Sequence, residues 1–166
     1  MKSLLILGAG GFGHMIKETA QALGYEEIVF LDDMVKEDDV IGMCCDYVIK
    51  HEDYPVAVAA FGNNKTRLFW TDKLLEEGYE VPAIVHPSAV VSPSVTLEPG
   101  CFIMQRSVVN TNTKIERAAL VNSGAVVDHN SVVCAGAHVG LGSVVKANCT
   151  IESGRMVEAG EVIFST

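Results

Sequence analysis

From Val85 to Ile163 every sixth residue is aliphatic: Val85, Val91, Leu97, Ile103, Val109, Ile115, Val121, Val127, Val133, Val139, Val145, Ile151, Val157 and Ile163, with no insertion. Four residues after most of them comes a small residue, as at Ala89, Cys101, Ser107, Thr113, Ala119, Ala125, Ser131, Ala137, Ser143 and Cys149. Gly or Asn recurs just before that residue, at Gly100, Asn112, Gly124, Asn130, Gly136, Gly142, Asn148, Gly154 and Gly160, and suits the left-handed conformation of tight corners. A six-residue repeat with an inward aliphatic and an inward small residue builds a parallel β-helix of short stacked strands. The hexapeptide version is a left-handed triangular prism in which three hexads make one coil of about eighteen residues, so fourteen hexads predict somewhat under five coils. Arg155 and Glu161 replace the inward small residue in the last two hexads. A lone charge inside a prism is costly, so the regular helix is expected to end near Ile151, with a cap or loose tail beyond.

The first half reads differently. Ser3 to Leu7 is a continuous apolar run ending in Gly8-Ala9-Gly10-Gly11-Phe12-Gly13, and His14 to Leu23 has helical spacing through Met15, Ile16, Thr19, Ala20 and Leu23. Gly24 closes that helix, Glu27 to Leu31 gives a second buried strand, and Asp32-Asp33 stands at its end. Val56 to Phe61 reads as a third strand, leading through Gly62 to Arg67 into a helix reaching about Glu77. The whole predicts an α/β, Rossmann-like domain over residues 1–80, followed by an all-β left-handed parallel β-helix over 84–166. Glycines let a ligand approach the backbone closely, helix-start N–H groups attract phosphate, and an acid about 20 residues on suits a ribose hydroxyl. The spacing of Gly8, Gly10, Gly13 and Asp32 fits NAD as well as it fits a nucleotide sugar.

Composition narrows the field. Of 166 residues, 12 are Lys or Arg and 21 Asp or Glu, for a net charge of -9, which argues against nucleic acid as a partner. Mean hydropathy is positive (+0.28), yet no run approaches the roughly 18 apolar residues of a membrane span. The apolar start resembles a secretory leader, but Gly8, Gly10, Gly11 and Gly13 break it and no small-residue cleavage site follows. Five Cys, with Cys44 and Cys45 adjacent, show no zinc-site spacing and read as reduced thiols in a cytoplasmic protein. Cys134 and Cys149 read as packing residues rather than thiol nucleophiles, and no metal is expected.

Leu7 to Gly13, Leu31-Asp32-Asp33, Gly62 to Arg67, His86-Pro87-Ser88-Ala89 and Val121 to His129 together resemble the PglD/NeuD-type sugar O- and N-acyltransferases. That family includes UDP-4-amino-sugar N-acetyltransferases and sialic acid O-acetyltransferases. The resemblance implies a homotrimer that uses acetyl-CoA as co-substrate and a nucleotide sugar or sialic-acid-like sugar as acceptor. It implies that His129 is the general base, that His138 meets the acetyl-CoA thioester region, that Ala147 supplies an oxyanion N–H, and that Gly10, Gly11, Gly13, Asp32 and Asp33 hold the nucleotide sugar. Lys146 and Arg155, with Arg117 of a neighbour, are the cations expected near the CoA phosphates. Three departures stand out: Phe12 where relatives usually have His, Asn130 in place of the acid that follows the catalytic histidine, and an end at Thr166 where relatives continue for further coils. From these follow altered sugar contacts, orientation of the imidazole by Asp128 or only weakly, and weaker acetyl-CoA binding.

The repeat itself bears on the site. His129 and His138 are half a coil apart and should point to opposite sides of one prism, so they can share a site only across a subunit boundary. Ala147 follows His129 by one coil and should stack beside it at about 4.8 Å. Two other readings remain: a catalytically weak or inactive trimeric nucleotide-sugar-binding protein, and an NAD(P)-dependent oxidoreductase, for which the β-helix would have no role. His86 and His14 read as structural, His14 being placed where it could face phosphate.

Overall fold

The computed structural model describes residues 2–165 and divides the chain into two compact units, the first ending at Pro82 and the second starting at Ala83. The first is a three-stranded parallel sheet: β1 (Ser3–Leu7) lies between β2 (Glu27–Leu31) and β3 (Ala57–Ala59), with Leu5 paired to Val29 on one side and to Ala57 on the other. Leu4 to Leu7 are fully buried, which explains why the central strand reads as an unbroken apolar run. Helix α1 (Gly11–Ala22) follows β1, and α3 (Asn64–Glu77) follows β3. Asn63 caps α3 by accepting from Thr66 N at 3.0 Å, and Gly78, at φ 93°, ends it in the left-handed region. Between β2 and β3 lie a single turn at Cys44–Asp46 and the one-turn helix α2 (Tyr47–Lys50), neither of which the sequence pattern predicts.

The second unit is the predicted prism, a left-handed parallel β-helix. Its first face stacks Ile84–Val85, Phe102–Ile103, Leu120–Val121, His138–Val139 and Met156–Val157. The second stacks Val90–Val91, Val108–Val109, Val126–Val127, Val144–Val145 and Val162–Ile163, and the third Thr96–Leu97, Lys114–Ile115, Val132–Val133 and Thr150–Ile151. Each residue pairs with the one eighteen positions on, as Val127 with Val145. The inward aliphatics from Ile103 to Val157 are fully buried, each contributing about 1.5–3 kcal/mol relative to exposure. All nine predicted corner residues, from Gly100 to Gly160, have positive φ, and Arg106 and Ala118 join them at 59° and 55°.

The regular helix does not stop near Ile151. Met156–Val157 pairs with His138–Val139, Val162–Ile163 pairs with Val144–Val145, and Val157 is buried. Arg155 and Glu161 are accommodated because their side chains keep 41% and 37% of their exposure and lie 3.7 Å apart as an ion pair. A charge on this coil stays hydrated, so the penalty that would end a covered coil does not arise.

Candidate active site

His129 lies on the corner between the second and third faces, exposed, in the turn from Val126–Val127 to Val132–Val133. Its corner is bonded to the next coil: Asp128 N donates to Val145 O at 2.9 Å, Asn148 N to His129 O at 3.1 Å and Ser131 Oγ to Lys146 O at 3.1 Å. The imidazole Nδ1 meets Asn130 Nδ2 at 2.9 Å. Asp128 makes no hydrogen bond to the ring. Its Oδ1 accepts from Asn110 Nδ2 at 2.9 Å and from His129 N at 2.8 Å, and these two bonds, led by Asn110, hold its carboxyl below the ordinary range. The residue bonded to the imidazole is therefore Asn130, an amide where the family resemblance leads one to expect an acid.

Ala147 stands one coil above His129, as the spacing predicts. At the equivalent position His129 N is capped by the Asp128 carboxylate, but the residue before Ala147 is Lys146, which has no acceptor to offer. Among the described residues none accepts from the Ala147 N–H. Lys146 is exposed, its Nζ 5.6 Å from the Phe164 ring centroid. His138 is on the first face, opposite the His129 corner, so one chain does not bring the two histidines together. Its Nε2 is 3.0 Å from Asn122 Nδ2, at a hollow of about 180 Å³ lined also by Gly140, Leu141, Met156 and Ala159.

Burial pushes the Cys101 thiol up to about 12 and also raises Cys134, with Glu116 and Glu152 adding to it. Cys134 follows inward Val133 at a half-buried corner, so it is Cys101 and Cys149, not Cys134, that take inward small-residue positions. Among the described residues no three His, Cys, Asp or Glu side chains converge as metal ligands.

In the first unit the glycines divide by role. A Cβ on Gly13 would lie 2.0 Å from Gly8 O, so this glycine seats α1 against β1, whereas Gly10 and Gly11 face open space at the helix start. Helix α1 has no side-chain cap and no acid in its first turn, an arrangement suited to an external anion. Asp32 accepts from Ala9 N, Met34 N and Val35 N, each at 2.8 Å. Partial burial alone would raise its carboxyl, but the three amides outweigh it and hold it below the usual carboxylate range. Asp33 Oδ1 accepts from Cys44 N at 2.8 Å. Both aspartates border a cavity of about 390 Å³ with Val35, Lys36, Glu37, Val40, Gly42 and Met43. His14 Nε2 is 3.3 Å from Glu37 Oε2. His86 is structural, accepting from Ser88 N at 3.0 Å to close the first corner.

Arg67, in the Gly62 to Arg67 segment, has a role that the sequence does not disclose. Arg67 is fully buried and donates to Phe61 O at 3.0 Å, Gly62 O at 3.3 Å and Asn64 Oδ1 at 2.9 Å, while burial lowers its guanidinium to about 10. It fixes the turn after β3, whose Phe61 ring lies against Gly8. A run of polar residues between strand and helix reads as solvated loop, and only the fold shows that the Arg turns inward.

A family model for the PglD N-terminal domain matches residues 3–74. Over 99% of the chain, the protein is 30% identical to the acetyltransferase domain of PglB from Neisseria gonorrhoeae FA1090, covering 92% of that chain at a TM-score of 0.76. The chain belongs to the PglD/NeuD-type sugar acyltransferase family. Another solved member, PerB from Caulobacter crescentus in complex with CoA and GDP-perosamine, is 29% identical, with 99% of this chain and 89% of that one covered at a TM-score of 0.84. The PglB acetyltransferase domain is also known in complex with acetyl coenzyme A, at 28% identity and a TM-score of 0.77. As a member of this hexapeptide-repeat family the protein is an acetyltransferase, and the family takes up the β-helix that a nicotinamide oxidoreductase would leave without a role.

Proposed function

We propose that the protein transfers the acetyl group of acetyl-CoA to an amine of a nucleotide-linked amino sugar, with His129 as general base. The observation that carries this reading is an exposed imidazole beside an Ala147 N–H, one coil away, that donates to no described residue, in a chain that matches PerB with CoA and GDP-perosamine over nearly its whole length. The sugar nitrogen attacks the thioester carbonyl carbon and its proton passes to His129 Nε2. The Ala147 N–H steadies the oxyanion, the carbon–sulfur bond breaks, and the imidazolium returns the proton to the departing thiolate. The open start of α1 at Gly10 and Gly11, shaped by Gly13, would hold the pyrophosphate. The cavity beside Asp32 and Asp33 would take the nucleoside.

Within this proposal the enzyme is a homotrimer, and His138 and Lys146 hold acetyl-CoA at a subunit boundary. An outward ladder of five valines on the second face supports assembly: Val90, Val108, Val126, Val144 and Val162, the end two 63% and 42% exposed. Five free thiols and a thioester donor support a cytoplasmic setting for it. No helix among the described residues is long and apolar enough to cross a membrane. Thiol release from acetyl-CoA, measured over GDP- and UDP-linked amino sugars and sialic-acid-like sugars, tests the reading. Turnover with an amino sugar nucleotide supports it. Turnover only with a hydroxyl acceptor would make the enzyme an O-acetyltransferase, and none with any acceptor would leave a sugar-nucleotide-binding protein.

A further inference from the structure

Asn112 and Asn130 occupy the same corner one coil apart, both at φ 56°. Their backbones are anchored, Asn130 N to Thr111 O at 3.0 Å and Asn112 N to Ser94 Oγ at 3.0 Å. Their side chains form a chain that ends on the imidazole: Asn112 Nδ2 donates to Asn130 Oδ1 at 3.4 Å, and Asn130 Nδ2 faces His129 Nδ1 at 2.9 Å. A neutral imidazole carries one N–H and one lone pair. With an amide N–H directed at it, Nδ1 is the acceptor, so the ring proton sits on Nε2.

That is the tautomer that cannot act as a base at Nε2. The competent tautomer has Nδ1–H, which needs Asn130 turned so that Oδ1 faces the ring. Turning it points the Asn130 NH₂ at the Asn112 NH₂, donor against donor, unless Asn112 turns as well. A carboxylate beside the histidine could only accept and would select the competent tautomer by itself. The amide can do either, so its neighbour decides.

We infer that Asn112 is a positioning residue, which sets through Asn130 the nitrogen on which His129 carries its proton and, as found here, restrains the base-competent form. The inference rests on the reading of His129 as base, but its primary readout does not. The Asp128 carboxylate and Lys146 are the other charged groups at this corner, and neither bonds the ring.

The test is ¹⁵N NMR of histidine-labelled protein, with the His129 signals assigned by their loss in His129→Ala and the tautomer read where the ring is neutral. Wild type should be mainly Nε2–H. Asn112→Asp, which the left-handed corner tolerates, offers Asn130 an acceptor and should move the ring toward Nδ1–H, raising kcat about two- to tenfold, the worth of one exposed hydrogen bond. Asn112→Gly keeps the corner without the side chain and should fall between. In an Asn130→Gly background, Asn112→Asp should leave the tautomer unmoved, because only its through-space charge remains. An unchanged tautomer in Asn112→Asp, or an equal shift in the Asn130→Gly background, overturns the inference. A shift in tautomer without a change in kcat would uphold the relay and remove His129 from its role as base.

Discussion

Asp32 in the α/β unit and His129 in the prism are both expected to serve a ligand, yet their own fold uses them very differently. Both carboxylate oxygens of Asp32 are bonded to backbone amides, tying the glycine turn to the segment after β2. The His129 ring bonds one exposed amide, and its backbone does only what every corner of the repeat does. Where each structural position occurs once, as in the α/β unit, residues at the ligand edge also hold the turn that makes the edge. Where the repeat supplies fourteen interchangeable hexads, one corner can carry chemistry while its neighbours carry the fold. Substitutions in the first unit should therefore mix stability with binding, and those at the prism corner should separate them.

The largest effect on stability should come from Gly13→Ala. Its Cβ would sit 2.0 Å from Gly8 O, backbone that cannot yield, so the α/β unit should lose about 3 kcal/mol or more in denaturant unfolding. Gly11→Leu, two residues away in open space, should keep stability and lose sugar-nucleotide binding by calorimetry. Equal stability of the two variants would break the division drawn among these glycines.

Gly140 in the prism is of the opposite kind. A Cβ on Gly140 would meet Val157 O at 2.4 Å, so Gly140→Ala should cost about 2 kcal/mol if the Met156–Val157 coil is seated as described. A silent substitution would return the end of the regular helix to Ile151.

A smaller effect distinguishes Asp32 from a ligand-only acid. Its carboxyl lies below the ordinary 3.8 in the fold, so its contribution to stability is full above that value and is lost as pH falls through the folded pKa. Asp32→Asn should cost about 1 kcal/mol near neutrality and flatten the acid side of the stability profile below about pH 4. An unchanged profile would mean that the three amide bonds contribute nothing.

The difference between the units also governs what the sequence discloses. In the prism the inward aliphatic position is stated fourteen times, so strands, corners and the opposition of His129 to His138 follow from counting. Counting fails at the last coil, where the burial assumed for Arg155 and Glu161 does not hold because their charges remain hydrated as a pair. In the α/β unit β1 is readable to the residue because it is buried on both faces, whereas α2 is a single turn with too few residues to show a period. At the site, the absence of an acid after His129 is plain in the sequence. That the amide of Asn130 reaches Nδ1, while Asp128 turns to Asn110 instead, depends on side-chain rotamers that no spacing encodes.

The most direct measurement is the steady-state rate of acetyl transfer to an amino sugar nucleotide by wild type and His129→Ala, with unfolding free energies measured on the same preparations. The core neighbours Val127 and Ser131 stay in place, so stability should change by no more than about 0.5 kcal/mol. The rate should fall by about 10² to 10⁴, as expected for losing a positioned general base. Near-normal turnover by a folded His129→Ala protein would contradict the account.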